Sequence, residues 1–265
     1  MTKKNWHIFV IFHKNLIDDH YLVDPSFTHE NYTFIKCNEQ FKADYNQGFG
    51  YNILQENSFE YYDKTLQQRK YHAPSAIYHV YKNKLYENYD YVGFLEYDIL
   101  LKSDSDSIPD AITNYISEVV EHNAKLVMSF SIRHSFKNLS DQHKIKINGV
   151  NAMSQIVSDY NDFFGTSYLV DRLLVSNELV SSQQSFLLDK ATFENVMGFI
   201  AFVIENKLAE KPDSWQRPST LLERYFGMSL LFEEKQIPLP LIHSNMQQWS
   251  YPKTNFWFRF LKLFR

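Results

Sequence analysis

The chain has 265 residues, 27 Lys and Arg against 31 Asp and Glu, and a formal charge of −4. That length buries a full core in one large domain or two small ones; the overall charge names no partner, and nothing in the sequence resembles a basic nucleic-acid-binding stripe. A single cysteine, Cys37, excludes an internal disulfide framework, and no apolar run approaches the roughly 20 residues of a membrane span.

Trp6–Phe12 reads as a first strand. With Lys3 and Lys4 before it, the run superficially looks like a signal peptide, but it is too short and meets His13-Lys14, so the expected location is the cytoplasm. Asp18–Asn31 is polar and reads as a loop, and Tyr32–Lys36 as a second strand. Asn46–Asn52 holds two glycines and reads as a turn, without the spacing of a P-loop or a dinucleotide fingerprint. Pro74-Ser75 opens a helix, with Ile77, Tyr78, Tyr81 and Leu85 at helical spacing, which runs straight into an apolar strand within Asp90–Leu101.

After the polar turn Ser103–Ser107, Pro109-Asp110 begins a helix through Ile112, Tyr115, Ile116 and Val119. Lys125–Ile132 is a further strand. Arg133–Val175 is poorly legible, with a helix expected over Val150–Tyr160. Phe186–Leu188 is a short strand ending at Asp189, followed by a long helix over Lys190–Leu208. Thr220-Leu-Leu-Glu223 fits a capping box at the start of a last helix, and Pro238–Ile242 is an extended piece leading to His243. The alternation predicts an α/β domain over residues 1–254, with a mostly parallel central sheet flanked by helices.

The chemistry centres on Glu96-Tyr97-Asp98, two carboxylates two residues apart at the end of a strand buried on both faces. In an open α/β sheet, ligands bind outside the carboxyl ends of the strands. A carboxylate pair there suits a hard divalent cation whose remaining positions are filled by water and phosphate oxygens. It also suits acid and base work or structural ion pairing.

In this setting the sequence resembles the GT-A glycosyltransferases, whose Asp-x-Asp-like motif ends such a strand. Ala76–Asn83 followed by Tyr89–Phe94 is similar to the helix-then-strand block of bacterial capsular-polysaccharide glycosyltransferases, in which a Tyr- and Trp-rich helix ends in Lys-Asn. Leu222–Phe226 resembles their Glu-Arg-Leu helix, and Phe186–Phe193 the strand and helix start before it. Several of that group carry His-Tyr-Arg-Arg where this chain has Glu96-Tyr97-Asp98-Ile99. Basic residues would neutralise a diphosphate without metal, whereas carboxylates would not, so the resemblance implies dependence on Mn2+ or Mg2+.

The resemblance further implies a nucleoside-diphosphate sugar as donor and a glycan, lipid-linked sugar or protein as acceptor. Asp98, Glu96 and His243 are the implied metal ligands, and Phe12, His13 and Asn38 the implied contacts to base or ribose. Asp189 and Glu223 are the candidate bases for an inverting transfer, with Asp189 first because it ends a strand. Each also has a structural role open to it, Asp189 as a helix N-cap and Glu223 in the capping box. A retaining transfer would need neither. Arg224 suits either a carboxylate or a phosphate. A nucleotidyltransferase and a non-catalytic glycan-binding protein on the same fold are the alternatives.

Residues 255–265 form a tail of a different kind, large apolar side chains interleaved with Arg259, Lys262 and Arg265. Such a segment fits either an anionic membrane interface, as a peripheral anchor, or the protein's own core.

Overall fold

The structure is a computed structural model that describes residues 4–13, 30–37, 51–96, 107–121, 126–129, 150–170, 185–210 and 218–236. Its centre is a six-stranded sheet in the order β3-β2-β1-β4-β6-β5. The strands are β1 Trp6–Phe12, β2 Tyr32–Lys36, β3 Ile53–Gln55, β4 Tyr91–Glu96, β5 Leu126–Ser129 and β6 Phe186–Asp189. The first four run parallel, β6 pairs antiparallel with β4, and β5 pairs antiparallel with β6.

The described helices are α1 Thr65–Gln68, α2 Ala73–Lys82, α3 Ile108–Glu121, α4 Val150–Phe164, α5 Lys190–Glu205 and α6 Pro218–Gln236. All seven residues of β1 and the first five of β4 are buried, as continuous apolar runs require when a strand is covered on both faces. With 22 Phe and 18 Tyr in the chain, the core packs largely ring on ring. The Phe94 ring stacks between Phe9, at 5.3 Å, and Phe193 of α5, at 5.7 Å.

Gly93 sits opposite Ile8 on one side and Leu187 on the other. A Cβ there would come within 2.9 Å of Ile8 Cγ1 and 3.0 Å of both Leu187 Cδ1 and the Phe186 carbonyl. The three central strands close on one another because this position carries no side chain.

Several boundaries differ from the sequence expectation. β3 has no counterpart in it, since three half-buried residues give no periodic signal. α2 stops at Lys82, and Leu85 continues its spacing without being helical. Lys84 takes φ 55°, its N–H donates to the Tyr81 carbonyl, and the Leu85 N–H donates back to Val80. This is a Schellman ending, and it folds Leu85 back under the helix. α4 runs on past Tyr160 to Phe164, and α5 ends at Glu205 instead of Leu208. α6 begins at Pro218, with proline suited to the first turn, so Thr220 and Glu223 lie inside the helix and form no capping box. Pro238–Ile242 lies outside the described residues.

Candidate functional site

The four parallel strands end along one edge. β1 ends in Phe12-His13, β2 in Lys36-Cys37, β3 in Gln55 followed by Glu56, and β4 in Glu96. The chain steps from β1 outward to β2 and β3, then returns to place β4 on the other side of β1. Open α/β sheets take their ligands at such a reversal, which here falls between the ends of β1 and β4. Glu96 is level with Ile11, one residue before Phe12, and is half-buried. Its N–H donates to Ser185 Oγ at 3.3 Å.

The same edge collects a second carboxylate that sequence reasoning missed. Glu56 is buried, its Oε1 accepting from Ser75 Oγ at 2.6 Å and lying 2.8 Å from His79 Nδ1. The Asp63 N–H donates to His79 Nε2 at 3.0 Å, which leaves Nδ1 as the nitrogen that donates to Glu56. Gln67 Nε2 donates to Glu56 Oε2 at 2.9 Å. Four side chains therefore fix the start of α2 to the end of β3. No motif marks Glu56 in the sequence, because its partners come from a separate helix and turn.

Cys37 stands between the two acids. Its N–H donates to the Phe12 carbonyl at 2.9 Å, and its thiol pKa is pushed well up by burial first, then by Glu56, with Glu96 adding to both. Glu56 and Glu96 thus impose negative potential on the same part of the edge.

Asp189 stands elsewhere. Because β6 is antiparallel, its carboxyl end is level with Tyr91, at the start of β4. Five residues of extended chain separate that level from Glu96, roughly 16 Å along the strand. Asp189 does end its strand, as the sequence predicts, but at the opposite edge of the sheet from Glu96. The carboxylate caps α5 instead, with Oδ1 accepting from the Thr192 N–H at 3.1 Å.

Glu223 and Arg224 lie in the first half of α6, where Phe226 stacks 5.8 Å from Phe186, the residue after Ser185. That contact places this part of the helix toward the Glu96 end of the β4–β6 pair. Arg224 is 3% exposed, and its Nε and Nη1 have no hydrogen-bond partner among the described residues. Burial pulls the guanidinium pKa down, while the nearby Glu223 pushes it up.

Asn38, Asp98, His243 and the tail 255–265 lie outside the described residues. Among the described residues, no three or more His, Cys, Asp or Glu side chains gather as a metal site. Of the implied metal ligands only Glu96 is described, and its position at the reversal fits a cation held partly by water and ligand oxygens.

Fold and site together define an α/β protein with a carboxylate, Glu96, at the reversal of strand order. No protein-family model and no curated protein matches the chain. Among solved structures it is similar to the apo form of WbbM, a bifunctional glycosyltransferase, with a TM-score of 0.55 and 14% identity over 88% of this chain and 43% of that one. The likeness is one of fold, and the chain spans less than half the length of WbbM.

Proposed function

We propose that the protein is a metal-dependent glycosyltransferase of the GT-A type that moves a sugar from a nucleoside-diphosphate donor to a glycan, lipid-linked sugar or protein. The observation that carries this reading is the position of Glu96, at the carboxyl end of β4 beside the end of β1, in a fold shared with a glycosyltransferase. Glu96 and Asp98 would hold Mn2+ or Mg2+, with His243 a further ligand, and such an ion would supply positive charge against the diphosphate of the leaving group. Phe12, His13 and Asn38 take the base and ribose.

Arg224 supports the same reading. Buried guanidinium N–H groups without partners are costly, and an arriving phosphate would satisfy Nε and Nη1 in the geometry that arginine prefers. Glu223, which belongs to the Glu96 end of the molecule as Asp189 does not, is the better candidate base for an inverting transfer.

The test is calorimetric binding of UDP, GDP and CDP with and without Mn2+, on the natural protein and on Asp98→Ala and Glu96→Ala. One nucleotide should bind at least tenfold more tightly with Mn2+, and Asp98→Ala should abolish the difference. Binding indifferent to both metal and Asp98 would sink the metal assignment. Hydrolysis of the matching nucleotide sugar then separates a transferase from a binding protein.

A further inference from the structure

A cavity of about 350 Å³ opens where β1 begins, at the edge of the sheet opposite Glu96. From Trp6 to Phe12 the extended chain covers roughly 20 Å, so the cavity is well separated from the end of β1. Its volume falls at the small end of the range for ligand sites, about 300–1,000 Å³. Three elements hold its inner wall. The Trp6 indole N–H donates to Thr113 Oγ1 of α3 at 3.2 Å, and that hydroxyl donates to the Pro109 carbonyl at 2.8 Å. Asn31, just before β2, donates through Nδ2 to the Trp6 carbonyl and accepts the Ile8 N–H at 2.9 Å. The wall is therefore formed before any ligand arrives.

Three exposed charged side chains also line the cavity, Lys4, Glu30 and Asp110. Among the described residues, Lys4 and Glu30 make no hydrogen bond or ion pair, either with each other or with a third group. Asp110 Oδ2 accepts from Ser107 Oγ at 2.6 Å, and the Asp110 N–H donates to the same oxygen at 3.3 Å.

These groups narrow the choice of ligand. Two carboxylates against one ammonium disfavour an anion, and Asp110 itself stands in the first turn of α3, where an anion would bind. Lys4 repels a divalent cation, and among the described residues no third His, Cys, Asp or Glu joins the two acids to hold one. An apolar ligand would leave the charged groups desolvated and unpaired. A neutral ligand rich in hydroxyls suits all of them, because each hydroxyl donates to a carboxylate and accepts from an ammonium.

We infer that this cavity is a glycan subsite, holding a mono- or disaccharide unit of the acceptor away from the donor edge. The sugar chemistry rests on the transferase proposed above, whereas the cavity and its charges stand without it. An acceptor held here presents its far end to the donor edge at a raised effective concentration.

The experiment follows the NMR signal of the Trp6 indole N–H, picked from those of the four tryptophans by its loss in Trp6→Phe. Glucose, galactose, N-acetylglucosamine and N-acetylgalactosamine are titrated singly into the natural protein without nucleotide or metal. At least one should shift the signal saturably. Glu30→Ala and Asp110→Ala, both at exposed positions, should each weaken that binding at least fivefold, and Glu96→Ala should leave it unchanged. No shift from any of the four sugars, or a shift that neither variant weakens, would overturn the subsite. A shift abolished by Glu96→Ala would overturn it by placing the sugar at the donor edge. A shift from inorganic phosphate or glycine, and from no sugar, would overturn it in favour of a charged ligand. Nucleotide titrations that fail while the sugar shift persists would remove the transferase reading and leave the subsite standing.

Discussion

Asn83 and Tyr61 exchange two hydrogen bonds. The Tyr61 N–H donates to Asn83 Oδ1, and Asn83 Nδ2 donates to the Tyr61 carbonyl, each at 2.8 Å. The same Nδ2 reaches the His79 carbonyl at 2.8 Å, so one amide both ends α2 and fastens the turn beside it. Its neighbour Lys82 lies over the rings of Tyr61 and Tyr78, at 5.4 and 5.8 Å, and donates to Glu205 at 3.2 Å. The Lys-Asn pair through which the sequence resembles the capsular transferases is thus a fastening of the scaffold, remote in role from the reacting groups.

Removing that amide should loosen the turn. Asn83→Ala loses three side-chain bonds to backbone and is expected to cost about 1–3 kcal/mol of stability, read from the urea midpoint. Asn83→Asp keeps the acceptor and loses the donors, so it should fall between the two. An unchanged midpoint for the alanine variant would show that water replaces the exchange at no cost.

Gly93→Ala puts a methyl group where Ile8, Leu187 and the Phe186 carbonyl already crowd. Overpacking of this kind typically costs about 1–3 kcal/mol, and one of the three contacts is backbone that yields poorly. Thermal denaturation should show a lowered Tm; a variant as stable as the natural protein would mean that the strands part without penalty.

Acid should weaken the fold through His7. The ring is buried, stacks 4.4 Å from Tyr89 and lies 2.9 Å from Thr33 Oγ1; burial brings its pKa from 6.5 down to about 4. Between those values the unfolded chain binds a proton that the folded one does not, so stability falls as pH drops from 6.5 towards 4. Above 6.5 the histidine adds no slope. The full loss would be about 3 kcal/mol. Urea titrations at pH 7, 5.5 and 4.5 on the natural protein and on His7→Gln measure it, and identical slopes in the two proteins would remove His7 as the cause.

Arg224→Met separates binding from stability. The two side chains are of similar length, and methionine needs no partner for the N–H groups that Arg224 leaves unpaired. Stability should hold or rise while nucleoside-diphosphate binding weakens at least tenfold. Undiminished binding would take Arg224 out of the donor site.

The apolar runs that became β1, β2 and β4 were legible because burial on both faces writes itself as unbroken hydrophobicity, and α2 because its buried positions recur at helical spacing. Direction was not. Phe186–Asp189 reads identically whichever way it enters the sheet, and the consequence was a carboxylate assigned to the wrong edge. Glu56 was illegible for a different reason: its burial is compensated by Ser75, His79 and Gln67, which no short-range pattern connects to it. Lys84 shows a third cause, since a Schellman ending puts a non-glycine residue at positive φ and lets Leu85 mimic one more helical position.

The reversed strand also sorts the chain by what its sequence changes should alter. At β1 and β4 the polypeptide departs at the Glu96 edge, so ligand contacts follow those strands, but at β6 it arrives from that edge through Ser185 and departs away from it at Asp189. On the function proposed above, substitutions that retune ligand binding should therefore lie where the chain leaves β1 and β4 and where it leads into Ser185, together with Glu223 and Arg224 of α6. Those downstream, from Asp189 into α5, should register as changes in melting temperature alone.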